Sequence, residues 1–202
     1  MTHGKRLFDV TLAIVLGVFL MPLLTLLLLW LGLREGRPLF FASERMSAPG
    51  VSFRLWKLRT MRCGSDDGRA TGGHKEGRVT QTGRWLRRTR LDELPQLWNI
   101  LRGDMSFVGP RPPLRRYVEA YPDLYARILH SRPGVTGLAT VVFHAHEARL
   151  MARCTTGDEA EGIYLRSCLP RKARLDLIYQ KHGWLGFDLR ILIRTVGVVL
   201  RS

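Results

Sequence analysis

The sequence predicts a mixed α/β protein, mostly helical. An N-terminal re-entrant membrane helix (residues 1–37) carries a small cytosolic domain (residues 38–202) with a short sheet and amphipathic surface helices. Three observations lead there. Val10 to Leu33 is an uncharged, almost continuously apolar run. Beyond Pro38 the pattern changes to short period-two stretches and longer stretches of helical period. Basic residues flank the apolar run on both sides, within a chain of 32 Lys and Arg against 17 Asp and Glu, formal charge +15.

The apolar run, as one helix, would be about 36 Å long, against about 30 Å for a bilayer core. Lys5 and Arg6 precede it. Arg34, Glu35 and Arg37 follow it without a small-residue cleavage site, so a signal peptide is not expected. Pro22 lies near its middle. Proline has no N–H to donate, and its ring meets the carbonyl of Val18, so a sharp bend is predicted. Spanning helices also tolerate proline, which leaves a kinked span as the alternative. Charge favours the re-entrant path, because basic segments stay cytoplasmic and a helix with both ends on one side cannot span.

In the domain, Phe40-Phe41 and Val51 to Leu58 read as strands, the second alternating with period two. Gly64 to Gly77 reads as a mobile polar loop and lacks the spacing of a P-loop. Thr82 to Arg90 reads as a basic helix. Leu91, Leu94, Leu97, Trp98 and Leu101 give a second helix an apolar face. Its start is placed near Asp92, because Pro95 is acceptable only in a first turn. Tyr117 to His130 reads as one helix, Arg132-Pro133-Gly134 as a turn, Val135 to Phe143 as a strand and His146 to Arg174 as helical. Asp188 to Arg201 is an apolar segment with interspersed arginines, fit either for a membrane surface or for core packing. Cys63, Cys154 and Cys168 are odd in number and far apart, which argues against a disulfide framework and for a reducing compartment.

So large a basic excess must face something anionic: phosphorylated substrates, an anionic membrane or nucleic acid. Three clusters carry chemistry. The first is Asp92-Glu93 beside Arg84, Arg87, Arg88 and Arg90. A helix start crowded by arginines is an anion site, and those charges are expected to keep Asp92 ionised. The plainer reading is an N-cap followed by a first-turn acid. The second is Arg111, fixed between Pro110 and Pro112, where one aimed guanidinium suits a phosphoryl group; a Pro-rich turn with a solvated Arg is the alternative. The third is Trp56-Lys57-Leu58-Arg59, otherwise a solvated strand face. His144-Ala-His146-Glu147, with Cys154 and Cys168, invites a zinc reading, but no recognised ligand spacing supports it.

Taken together the chain resembles the bacterial sugar transferases, small monotopic phosphoglycosyl transferases. The matching residues are Lys5-Arg6…Asp9, Pro22, Trp56-Lys57-Leu-Arg59-Thr-Met61, Leu91-Asp-Glu-Leu-Pro-Gln-Leu97, Asn99, Gly103-Asp-Met-Ser106, Val108-Gly-Pro-Arg-Pro112, Arg132-Pro-Gly-Val-Thr-Gly-Leu-Ala139 and Leu175-Asp176…Tyr179. The resemblance implies transfer of a sugar 1-phosphate from a UDP-sugar to polyprenyl (undecaprenyl) phosphate through an aspartyl-phosphosugar, with release of UMP. It implies Asp92 as nucleophile, Glu93 as a Mg²⁺ ligand, and Lys57, Arg59, Arg87, Arg111 and Arg132 on substrate phosphates. Pro22 would be the break in the membrane helix. The setting would be the cytoplasmic face of a bacterial inner membrane, with lipids as partners and a homodimer left open. Two departures stand out. Arg90 occupies a position where the family usually has Ser, and Thr140-Val-Val-Phe-His144, followed by a longer segment to about Arg171, replaces Gln-Val-x-Gly-Arg. That region is expected to bear on nucleotide or sugar recognition.

The rival from another class is a membrane-tethered nucleic-acid-binding protein, with Trp56 and Trp85 stacking on bases. It leaves two acids inside the basic patch unexplained, so no nucleic-acid partner is expected. A non-catalytic membrane scaffold would bind no Mg²⁺ and release no UMP.

Overall fold

The computed structural model describes residues 2–62 and 77–200, the last two by backbone only. The Gly-rich stretch from Gly64 lies outside the described residues except at Gly77.

Helix α1 (His3–Glu35) starts at Thr2, whose hydroxyl accepts from the Lys5 N–H. It runs on through Pro22. Just there the Thr25 hydroxyl donates to the Met21 carbonyl at 2.9 Å, a back-bond that often bends helices. Both ends of α1 pack on the same body. Ala13 is buried with Ile100, Met105 and Phe107. Leu27 and Leu31 are buried with Leu58 and Leu86. Between them Val18, Phe19 and Met21 are exposed, by 68%, 77% and 58%.

Polar anchors fix both ends. Lys5 Nζ lies 2.5 Å from a carboxylate oxygen of Asp188 and donates to the Val108 carbonyl. Arg6 donates to the carbonyls of Ile100 and Leu101 at 2.6 and 2.8 Å, a cation closing the end of a helix. At the far end Arg59 donates to the carbonyls of Glu35, Gly36 and Arg37.

Strands β1 (Phe40–Ala48) and β2 (Val51–Leu58) form the expected hairpin, longer on its first arm than Phe40-Phe41 suggested. Helix α2 (Gln81–Thr89) follows its basic sequence closely. Gly83 lets it lie flush on the chain, since a Cβ there would come within 2.0 Å of the Thr60 carbonyl. Arg90 then turns the chain with φ 59°, the one left-handed non-glycine among the described residues.

Three expectations need correcting. Asp92 and Glu93 do not open an α-helix. They sit on a 3₁₀ turn, Leu91–Glu93, and α3 (Gln96–Arg102) begins after Pro95. Pro95 has no N–H, which suits it to the flank of a helix as well as to its first turn. Strand β4 is only Gly134–Thr136, paired in parallel with β3 (Ser106–Val108). The rest of the predicted strand is helix α6 (Leu138–Met151). Ala139 and Phe143, four apart, face the core there, and packing overrides the β propensity of Val and Phe. Tyr117 to His130 is two helices, α4 (Arg115–Ala120) and α5 (Pro122–Ile128), because Pro122 cannot continue α4. The 146–174 stretch is helical, as expected, in several pieces. After α6 come α7 (Gly157–Ile163), a π-helical turn at Tyr164–Cys168 and α8 (Leu169–His182).

The chain closes with α9 (Leu185–Leu200), which buries Ile191 and leaves Leu189, Ile193 and Val196 exposed. Cys168 is fully buried and Cys154 partly so, both as free thiols. The β3–β4 pair lies where the Gly103–Pro113 and Arg132–Ala139 stretches cross. A Cβ on Gly109, Gly134 or Gly137 would meet backbone atoms of the opposite stretch at 2.1–2.2 Å. Three glycines thus let two backbones touch and hold the start of the Pro-Arg-Pro turn rigidly.

Candidate active site

The site grows from a strand end and a tight turn. Lys57, the penultimate residue of β2, points at the 3₁₀ turn. Its ammonium lies 2.9 Å from Glu93 Oε1 and 4.0 Å from Asp92 Oδ2. Asn99 on α3 sets that distance. Its side-chain amide donates to the Arg54 carbonyl at 2.7 Å, and its oxygen accepts from the Trp56 N–H at 3.1 Å, so β2 is bolted to α3 just before Lys57. Asn99 is fully buried. Arg90 adds a guanidinium 3.6 Å from Glu93, and Arg87 donates to the Thr60 hydroxyl beside Asp92.

Two adjacent carboxylates in a nearly dry site cannot be equivalent. Asp92 is 5% exposed. Burial pushes its carboxyl above the ordinary 3.8, and the Glu93 charge pushes the same way. Lys57, Arg87 and Arg90 pull down but do not win. This corrects the expectation that arginines alone would set Asp92. Burial also pushes Glu93 up, yet Lys57, Arg111 and Arg90 hold it at about 2. Glu93 is therefore the fixed anion, and Asp92 is the more basic partner. Lys57 carries the reciprocal tension. Burial lowers its pKa, the anions of Glu93 and Asp92 raise it, and Arg111 opposes them.

Two cavities meet here. One, of about 210 Å³, is apolar and opens between α1, α6 and α9, with Leu16, Leu20, Val141 and Val198 among its walls and Glu93 and Arg90 on its floor. The other, of about 240 Å³, is polar and is lined by Arg45, Arg90, Arg111, Glu147, Lys172 and Asp176 among others. Arg90, Thr140 and His144 belong to both, and Glu93 lines the apolar one.

Of the residues predicted for the site, the structure gathers Lys57, Arg87, Asp92, Glu93 and Arg111. Arg84 and Arg88 are exposed on α2. Arg59 is taken up at the end of α1. Arg132 sits behind α3, where burial and Arg6 lower its pKa while Asp9 and Asp104 raise it. His144 and His146 lie on a helix and not a strand, so they do not share a face. His144 lines the cavities, and His146 contacts Arg171. Among the described residues no group of three or more His, Cys, Asp or Glu is placed to hold a metal, which removes the zinc reading. Trp56 packs edge-on to Phe40 and Trp85 edge-on to Trp30 of α1, so both rings are engaged within the fold. Arg45, Glu147, Lys172 and Asp176 were not singled out as one site. They come from three separate elements, and no spacing in the chain brings them together.

The bacterial sugar transferase family matches over residues 1–202. The chain belongs to that family. A UDP-glucose:undecaprenyl-phosphate glucose-1-phosphate transferase of Caulobacter vibrioides is 38% identical over 98% of the chain and 70% of that protein. A Bacillus subtilis protein called uncharacterized sugar transferase EpsL is 36% identical over 98% of the chain and 88% of its own length. An Escherichia coli K12 UDP-glucose:undecaprenyl-phosphate glucose-1-phosphate transferase is 32% identical over 95% of the chain, which spans 39% of that longer protein.

The depressed pKa of Glu93 has a consequence for stability. A carboxylate held at about 2, against an ordinary 4.5, stabilises the folded state above 4.5 and loses that contribution as pH falls from 4.5 towards 2. Glu93→Gln should therefore lose less stability across that interval than the parent protein. Denaturant unfolding at a series of pH values measures it, and an identical loss in both proteins would contradict the assignment.

Proposed function

We propose that this chain moves a sugar 1-phosphate from a UDP-sugar to polyprenyl (undecaprenyl) phosphate by two displacements at Asp92, releasing UMP and starting a lipid-linked glycan. The observation that carries the reading is the buried Lys57–Asp92–Glu93 cluster, whose Glu93 lines an apolar cavity that shares Arg90, Thr140 and His144 with a polar one. A polar, arginine-lined compartment suits a nucleotide sugar. An apolar one between α1 and α9 suits the first units of a lipid carrier. The names borne by the relatives in C. vibrioides and E. coli point to the same substrates.

In the first displacement a carboxylate oxygen of Asp92 bonds to the phosphorus that bears the sugar. The bond from that phosphorus to the UMP oxygen breaks, and its electron pair leaves with UMP. In the second, an oxygen of the lipid phosphate bonds to the same phosphorus and the Asp92 carboxylate is restored. Splitting the transfer lets one small site serve two substrates in turn. Arg111, Arg87 and Lys57 offset charge on the phosphoryl oxygens.

Mg²⁺ fits the residues present. It needs few protein carboxylates when phosphate oxygens supply the rest, and Glu93 is held ionised beside Asp92. When bound it would neutralise charge on the diphosphate, with Glu93 as its protein ligand. Glu93→Gln should weaken the Mg²⁺ dependence of turnover.

The membrane arrangement follows from α1, which is long and apolar enough to cross a bilayer. Both its ends rest on one body, both its flanks are basic, and its middle is the exposed part. These features support a re-entrant, monotopic helix turning near Pro22, with residues 38–202 on the cytoplasmic face of a bacterial inner membrane. The exposed apolar face of α9 would lie on the same surface. Cysteines placed near the N-terminus and in the domain should both react only from the cytoplasmic side; labelling of the N-terminus from outside would mean that the helix spans.

The activity itself is tested by UMP release from a panel of UDP-sugars with undecaprenyl phosphate. At least one sugar should give UMP in the parent protein, and Asp92→Asn should lose at least about a thousandfold in rate, as expected for removal of a nucleophile. Release should also fall as pH drops through the raised pKa of Asp92, because the protonated acid cannot attack. No UMP with any donor would overturn the reading.

A further inference from the structure

The polar cavity has an inner wall that the transfer chemistry leaves unused. Arg111 and Arg90 lie at the end next to Glu93. Beyond them, α6 and α8 bring Glu147, Lys172 and Asp176 to the lining. Lys172 is held by Glu147 through two hydrogen bonds, at 2.9 and 3.0 Å, and lies over the Tyr164 ring. Asp176 is different. It is 8% exposed, its Oδ1 is buried without a hydrogen-bond partner, and no side chain among the described residues is seen to donate to its carboxyl. A buried polar group left unsatisfied costs about 1–3 kcal/mol, so the fold gains nothing by keeping it. A carboxyl kept at a cavity wall against that cost calls for a ligand that supplies the missing hydrogen bonds.

The chemistry of the wall says which part of a donor it would meet. Phosphates belong at the arginine end, because Glu147 and Asp176 repel anions. The uracil ring offers one N–H donor and two carbonyl acceptors. A hexosyl ring offers several hydroxyls, each able to donate to a carboxylate oxygen and accept from a protonated one. Burial raises Asp176 to about 7, partly opposed by Lys172, so its carboxyl can take either part at neutral pH. A uronosyl group would bring a second anion to a wall whose Lys172 is already paired.

Resting on the proposed transfer of a sugar phosphate, we propose that Asp176, with Glu147 and Lys172 beside it, binds the hydroxyls of the transferred sugar and selects a neutral, hydroxyl-rich hexosyl group over a uronosyl one. This also gives the atypical segment after Ala139 a role: it supplies Glu147, and through Tyr164 it seats Lys172.

The test is direct binding to the full chain in lipid nanodiscs, with UDP, UDP-glucose, UDP-galactose and UDP-glucuronate as titrants. Asp176→Leu, close in shape and without hydrogen-bonding groups, should weaken at least one UDP-hexose about tenfold or more and leave UDP within twofold. Asp176→Asn and Glu147→Gln should show the same split to a lesser degree, which keeps the test open should the Leu variant fold poorly. Thermal unfolding should show Asp176→Leu at least as stable as the parent protein, because an unsatisfied buried carboxyl has been removed. UDP-glucuronate should bind the Asp92→Asn protein no better than UDP. Equal losses for UDP and UDP-hexose would assign the wall to the nucleotide and overturn the proposal, as would unchanged UDP-hexose binding in all three variants. The titrations are made in the Asp92→Asn background, which forms no phosphosugar adduct, so this split together with no UMP release by the parent protein would sink the transfer reaction and leave the sugar wall standing.

Discussion

Everything in this molecule is arranged around one costly placement: Lys57 against two neighbouring carboxylates in a nearly water-free site. Burying one charge is expensive, and burying two of the same sign side by side is worse. The ammonium of Lys57 makes the pair tolerable, and its unequal distances make it asymmetric. Glu93 takes the close contact and stays an anion, while burial keeps Asp92 basic. Adjacent carboxylates of unequal basicity thus arise through environment and not through side-chain type. The supporting parts have clear tasks in that light. The hairpin delivers Lys57, Asn99 fixes β2 to α3, and the left-handed Arg90 swings the chain into the 3₁₀ turn that presents both acids.

Helix α1 belongs to the same construction. Its first turns plug the core through Ala13, and its N-terminal cations tie α3, β3 and α9 together. Its last turns pack under Leu58 and Leu86, one residue from Lys57. Leu16 and Leu20 of α1 line the apolar cavity together with Glu93. Helix α1 and the carboxylate cluster therefore share core contacts and a cavity wall.

Much of this was legible in the chain. The Val10–Leu33 run, the period-two strand from Val51 to Leu58, the basic α2 and the Asp92-Glu93 pair all announced themselves through local pattern. What failed was local signal overruled by packing. Val141, Val142 and Phe143 favour a strand, yet Phe143 with Ala139 forms a helical face that fills the core. Arg59 and Arg132 have the chemistry of phosphate ligands, but the fold places the first on the open carbonyls of α1 and the second behind α3. The direction of the Asp92 shift was unreadable, because counting nearby arginines gives the charge and not the burial. The inner wall of Glu147, Lys172 and Asp176 was equally hidden, since its residues meet only once α6 and α8 pack.

The central claim, that environment makes Asp92 and not Glu93 the attacking group, is tested most directly by intact-mass spectrometry after incubation with a productive UDP-sugar and Mg²⁺ but no lipid acceptor. The account predicts one added phosphosugar mass, mapping to the peptide that contains Asp92, lost in Asp92→Asn and discharged by undecaprenyl phosphate. An adduct that persists in Asp92→Asn, or transfer that proceeds only with both substrates bound and never leaves a mass on the protein, would contradict it.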